Sequence, residues 1–212
     1  MRGILINNSI HTGKQLNLVM TSKDLPAPEL QIQKVEIPGR NGALDLTEAL
    51  TGEPVYNNRP LKFSFFGDGS RERVLQLIDE MLNYHGRYIT VRVEESSDWY
   101  YEGRAEVSYS DKYYYVEFTI TIDAQPFRQA VDSKVYTYTN VSSKKITLNN
   151  RGVRVLPTVK VTKETIIVKG DTTYTLSAGT YDPEQLLLDP GDNIWTVTTT
   201  GTITVTYREA KI

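Results

Sequence analysis

The sequence predicts a mainly β protein of two successive domains: a β-sandwich or split barrel carrying one α-helix, then a second β-sandwich. Three observations carry this. Apolar and polar residues alternate with period two through much of the 212 residues, as in strands that bury one face. Only one stretch repeats its apolar residues at helical spacing. Near Pro126-Phe127-Arg128-Gln129 the composition shifts towards Thr and Val, with no helical stripe beyond. These place the domains at 1–130 and 131–212.

The first distinctive element is residues 34–66. Lys34 to Ile37 reads as a strand that meets Pro38-Gly39, and a second strand follows in which Leu61, Phe63 and Phe65 alternate with Lys62 and Ser64. About twenty residues separate them, against roughly 2–6 in an ordinary connection. Asn41-Gly42, Thr51-Gly52, Pro54 and Asn57-Asn58 punctuate the excursion, which has its own apolar set in Ala43, Leu44, Leu46, Ala49 and Leu50. Such a segment is either a disordered insertion or an arm that packs on something. Clustered aliphatics on one arm imply a partner surface.

Ser70 then caps a helix starting near Arg71, with Glu72 in the favourable first turn. Val74, Leu75, Leu77, Ile78, Met81 and Leu82 form its apolar stripe, and Gly86 stands where a left-handed cap belongs. A meander follows. Ile89, Val91 and Val93 alternate, Ser96-Ser97-Asp98 turns, Trp99 to Val107 returns, Asp111-Lys112 turns, and Val116, Phe118, Ile120 and Ile122 alternate again.

In the second domain, Val159, Val161 and Thr165 to Val168 form a hairpin candidate, and Lys169-Gly170-Asp171 turns into Tyr174 and Leu176. Leu186-Leu187-Leu188 reads as a strand leading to the turn Asp189-Pro190-Gly191-Asp192-Asn193. Trp195 and Val197 alternate with threonines, Thr200-Gly201 turns, and Ile203, Val205 and Tyr207 alternate once more. Short strands at regular spacing mean a sandwich.

A formal charge of -2, scattered along the chain, lacks the basic stripe of a nucleic-acid binder. Zero cysteine removes disulfides, thiolate zinc sites and thiol nucleophiles. No apolar run approaches the roughly 18 residues of a membrane span, and the first residues show no export signal, so synthesis in a cytoplasm is expected. Tyrosine is frequent, at 14 against 2 Trp and 5 Phe; its strand-like contexts fit strand propensity better than a contact surface.

The usual catalytic patterns are missing. Gly67-Asp68-Gly69 sits between a strand and a helix, but Glu72 occupies the next glycine position and no Lys-Ser/Thr follows, so it reads as a turn. His11 and His85 have no ligand spacing. Glu94-Glu95 would point to opposite faces of a strand, and Asp189 and Asp192 share a turn, so neither pair has the opposed geometry of glycosidases. No Gly-x-Ser-x-Gly elbow is present. No catalytic residue, cofactor or metal site is expected.

Ile37-Pro38-Gly39-Arg40-Asn41-Gly42 leading into Asp45-Leu46-Thr47, then Tyr56-Asn57-Asn58-Arg59, resembles the N-terminal signature of the distal tail protein (Dit) family of siphophages. Tyr84-His85-Gly86-Arg87 and Trp99-Tyr100-Tyr101-Glu102-Gly103-Arg104 fit the same family. The closing Leu-rich segment, turn and Val205-Thr206-Tyr207-Arg208 resemble its galectin-like C-terminal domain. The resemblance implies a non-enzymatic hexameric ring in the virion tail tip of a phage of a Gram-positive host. It further implies a channel through which DNA passes transiently, without membrane contact. Tail tube protein, tape measure protein and tail-associated tip protein are the implied partners, with a receptor-binding protein as a further one. In that setting Arg40, Leu44, Leu46, Ala49, Leu50, Tyr56 and Arg59 are the candidate residues of an inter-subunit arm. The alternative is a carbohydrate-binding or adhesion module, with Trp99, Tyr100, Tyr101 and Trp195 as the stacking candidates, although alternation places Trp195 on the core face.

Overall fold

The computed structural model describes residues 2–49 and 51–212. It is mainly β, 54% strand and 9% helix. Two compact units emerge: residues up to Arg128 with Ile212, and Gln129–Lys211.

The first unit contains β1 (Ile4–Ile6), β2 (Ile10–His11), β3 (Val19–Asp24), β4 (Lys34–Val35), β5 (Leu44–Asp45), β6 (Arg59–Asp68), α1 (Arg71–Leu82), β7 (Tyr88–Val93), β8 (Trp99–Asp111) and β9 (Tyr115–Ala124). The short β10 (Arg128–Ala130) follows. β4 and β5 pair only with each other, while the others run in the order β2-β1-β7-β8-β9-β6-β3. Alternation decides what is buried. Leu61, Phe63 and Phe65 of β6 lie opposite Ile122, Ile120 and Phe118 of β9, and all six are in the core.

α1 covers this core with Val74, Leu77, Ile78 and Met81. Leu75 and Leu82, expected in the same stripe, are exposed instead. Both lie beside the i, i+3, i+4, i+7 line, which is the face a single sheet can cover. The Ser70 hydroxyl caps the helix by accepting from the Arg73 N–H at 3.3 Å. Gly86 is left-handed at φ 74, but its N–H donates to Ala105 O of β8 at 2.8 Å rather than to a helix carbonyl. It ties the helix exit to the sheet. Gly67 has a packing role: a Cβ there would stand 2.6 Å from Leu18 Cδ2 and 2.9 Å from Leu77 Cδ1. The glycine lets α1 approach β6.

The second unit contains β11 (Lys134–Asn150), β12 (Thr158–Val161), β13 (Thr165–Lys169), β14 (Thr172–Leu176), β15 (Gly179–Tyr181), β16 (Gly191–Tyr207) and β17 (Ala210–Lys211). β11 and β16, 17 residues each, pair from Lys134↔Tyr207 to Asn150↔Gly191. On the other edge of β16, β13 takes the half around Val197 and β12 the half around Val205. The ladder breaks register at Thr139/Val141 and Val141/Lys144, where Asn140 and Ser143 have positive φ. Bulges of this kind bend a strand. One cluster then collects Ile146, Leu148, Ile167, Trp195 and Val197 from one half, and Val159, Val161, Ile203 and Val205 from the other.

Three expectations fail here. Thr200-Gly201 is no turn: β16 runs through it with unbroken inward alternation. Gly201 faces inward, and a Cβ there would meet Thr162 Oγ1 at 2.6 Å, so the glycine serves a close approach. β12 and β13 do not pair with one another, because β16 lies between them. Leu186-Leu187-Leu188 is no regular strand. A 3₁₀ turn, Glu184–Leu186, seats Leu186 in the core, and Leu188 makes a single bridge to Val155. β11 itself had no clear signal in the sequence, since only its last turns bury alternate residues.

Glu209 closes the far end of the long hairpin. It is 4% exposed and accepts from Lys134 Nζ at 2.6 Å and from the Arg151 N–H at 2.8 Å. Burial alone would raise its pKa; these donors and cations hold it below the usual carboxylate value.

Candidate assembly surface

β3 is an edge strand paired with β6 as far as Asp24↔Lys62. Beyond that pair both chain segments continue without a sheet beneath them and pair with each other. The Asn57 N–H donates to Glu29 O and the Gln31 N–H to Val55 O, both at 2.8 Å, with a bridge at Leu30↔Tyr56. Further out, the Leu46 N–H donates to Gln33 O at 2.8 Å, and the β4–β5 pairs Lys34↔Asp45 and Val35↔Leu44 follow. Gly39 and Gly42, at φ 83 and 79, turn the tip in a conformation that side chains disfavour. The excursion is therefore a β-hairpin arm.

It begins nearer Leu25 than Pro38. Lys34 to Ile37, read as the strand before the excursion, lies inside it, because its partner is β5 rather than the main sheet. Residues 29–43 are all exposed. Among them are Leu30, Ile32, Val35 and Ile37, with Ile32 at 59%. These four were missed as contact residues, although their alternation with Gln31, Gln33, Lys34 and Glu36 was a readable sign of a strand with one apolar edge. Of the expected residues, Leu44 and Leu46 are half-buried on the arm, Arg40 and Ala49 are exposed on it, and Leu50 lies outside the described residues. Thr47, through its N–H and hydroxyl, lowers the pKa of Asp45.

Tyr56 and Arg59 sit at the root instead. Tyr56 meets Phe127 edge-on, with centroids 5.6 Å apart. Arg59, the first residue of β6, is 5% exposed; its Nη1 donates to Pro26 O at 3.2 Å, joining the two legs of the arm. Its guanidinium lies 4.9 Å over the Tyr101 ring, and Arg128 lies 5.3 Å over Trp99. Desolvation lowers the Arg59 pKa, opposed by Tyr101 and reinforced by Arg128.

The sugar-stacking candidates fare poorly. Trp195 is fully buried and Tyr101 nearly so, while Trp99 carries Arg128 on its face. Among the described residues no group of His, Asp or Glu is arranged to hold a metal ion, and no helix is long and apolar enough to cross a membrane.

Sequence comparison matches the chain to no family profile and to no curated protein. Structure comparison does. The crystal structure of the SPP1 Dit (gp 19.1) protein, described as a paradigm of the hub adsorption apparatus in phages infecting Gram-positive bacteria, aligns over 100% of both chains. The TM-score is 0.68 at 14% identity. The chain has a Dit fold. Two structures of the phage P2 baseplate in its activated conformation also align. The calcium form covers 99% of this chain and 98% of that one, at TM-score 0.49 and 7% identity. The strontium form covers 98% of each, at 0.46 and 5%. The Dit fold here spans both units, arm included.

Proposed function

We propose that this chain is a structural hub protein of a siphophage tail tip. Six copies form a ring that joins the tail tube to the adsorption apparatus and leaves a channel for DNA. The observation that carries this reading is the end-to-end correspondence with the SPP1 Dit protein, which includes both units. The exposed arm supports it independently, because an isolated subunit has no use for Leu30, Ile32, Val35 and Ile37 in water. In a ring, each such side chain fully buried by a neighbour contributes about 1.5–3 kcal/mol. That gain offsets the backbone entropy of ordering the arm, about 1–2 kcal/mol per residue for those that were mobile. The arm is thus the clasp between subunits. Tail tube, tape measure and tail-associated tip proteins are the expected neighbours above and below, a receptor-binding protein the expected peripheral one, and the virion the place of work.

Replacing residues 31–55 by a short Gly-Ser turn tests the clasp. Concentrated wild-type protein should show six-membered rings by negative-stain microscopy, and the shortened protein none, with nearly unchanged melting. Rings of another subunit number would refute the hexamer. Unfolding of the first unit on shortening would mean that the arm packs within its own subunit.

A further inference from the structure

The root of the arm holds cations whose best donors are unused. Only Nη1 of Arg59 has an acceptor. Its Nε and Nη2, and the Nε of Arg128, are buried without an acceptor among the described residues. Buried donors left unpaired are unfavourable, and more so when charged. On a guanidinium the Nε–H and one Nη2–H point the same way, side by side, forming the edge that takes both oxygens of a carboxylate. Tyr101 beneath Arg59, and Trp99 beneath Arg128, fix the planes of the two groups.

The complementary chemistry lies on the arm. Residues 29–57 carry Glu29, Glu36, Asp45, Glu48 and Glu53 against only Lys34 and Arg40. The paired ladder from Glu29/Asn57 out to Val35/Leu44 carries the outer carboxylates away from their own root. We propose that the acidic arm of one copy docks on the Arg59–Arg128 root of the next, with an arm carboxylate filling the Arg59 fork. This rests on the ring reading above and names the surface the arm grips. The contact is heterologous, so closing the ring uses every arm and every root. It also pairs donors that the single copy leaves unmet, which makes the empty root a less favourable state than the occupied one.

The chain has no cysteine, so single cysteines report proximity cleanly. Full-length Glu48→Cys and Asn58→Cys proteins, mixed at high concentration, should give a disulfide between unlike copies that exceeds either like pair and fades in high salt. In sedimentation, R59K, which keeps the charge but loses the fork, should self-associate about tenfold more weakly or worse. So should E36Q/D45N/E48Q, whose changes are confined to the exposed arm and leave melting unchanged. Should R59K lower the melting temperature, the arm variant decides. Wild-type rings with unaffected variants, or no preference for the unlike disulfide, would overturn the docking while leaving the ring standing. Failure of wild-type protein to associate at any concentration would overturn both.

Discussion

The arm and the β11–β16 hairpin are built from the same local chemistry, antiparallel pairing with apolar residues at every second position, and they end in opposite environments. Along the arm Leu30, Ile32, Val35 and Ile37 face water. Along β16 Trp195, Val197, Ile203 and Val205 are buried. The difference lies in the bend. Positive φ at Asn140 and Ser143, two register shifts, and an inward Gly201 against Thr162 bring the halves of the long hairpin over one cluster. The arm has bends only at its tip and no second layer, so its alternation has nothing in its own unit to face. Period two states that a face is apolar. Whether that face is core or interface depends on where the strand bends.

The comparison is broken most forcefully in the core. Trp195→Ala should destabilise the second unit by about 3–5 kcal/mol, since it empties the largest fully buried side chain. Urea unfolding of the full-length protein, followed by hydrogen exchange, resolves the two units; a loss near 1 kcal/mol would mean that the cluster is loosely packed. Glu209→Gln should cost about 3 kcal/mol by leaving Lys134 without its buried partner. Its pH dependence has a definite sign. The folded carboxylate titrates below the unfolded one, so its stabilisation is complete above the unfolded value and is lost as pH falls through the lowered folded value. Melting temperature against pH should therefore fall less steeply on the acid side in E209Q than in wild type; parallel curves would remove Glu209 from acid unfolding. The smallest effect belongs to the arm: Ile32→Ser with Ile37→Ser should leave unfolding within about 0.5 kcal/mol of wild type, as at other exposed sites. A larger loss would show that the arm is core after all.

The sequence made the first unit more legible than the second. Ser70, the i, i+3, i+4, i+7 line of α1 and the strict alternation of β6 and β9 are local signals, and the structure keeps them. In the second unit the decisive facts are non-local: Gly201 looks like a turn until Thr162 is placed against it, and β12 and β13 look like a hairpin until β16 is inserted between them. The candidate site divides the same way. The arm was visible as an over-long connection with its own aliphatics. Its true start, and the roles of Leu30 and Ile32, depended on knowing that β4 pairs with β5. Arg59 was selected as part of a motif, and only burial shows that it sits at the root with donors to spare.

The placement of β16 has a consequence for how the protein is made. It lends its edges to β11, β12 and β13, yet it is the last long strand to leave a ribosome. The first unit has all its strands by Ala124. The strands after it wait for their common template, and at about 5–20 residues per second the stretch from Asn150 to Tyr207 takes roughly 3–11 s to synthesise. During that interval β11 is an unpaired 17-residue strand beside a finished neighbour, the kind of species that chaperones bind and that joins other nascent chains when they are crowded. Yield of soluble protein should therefore respond more to translation speed over residues 150–207 than to any change in the arm.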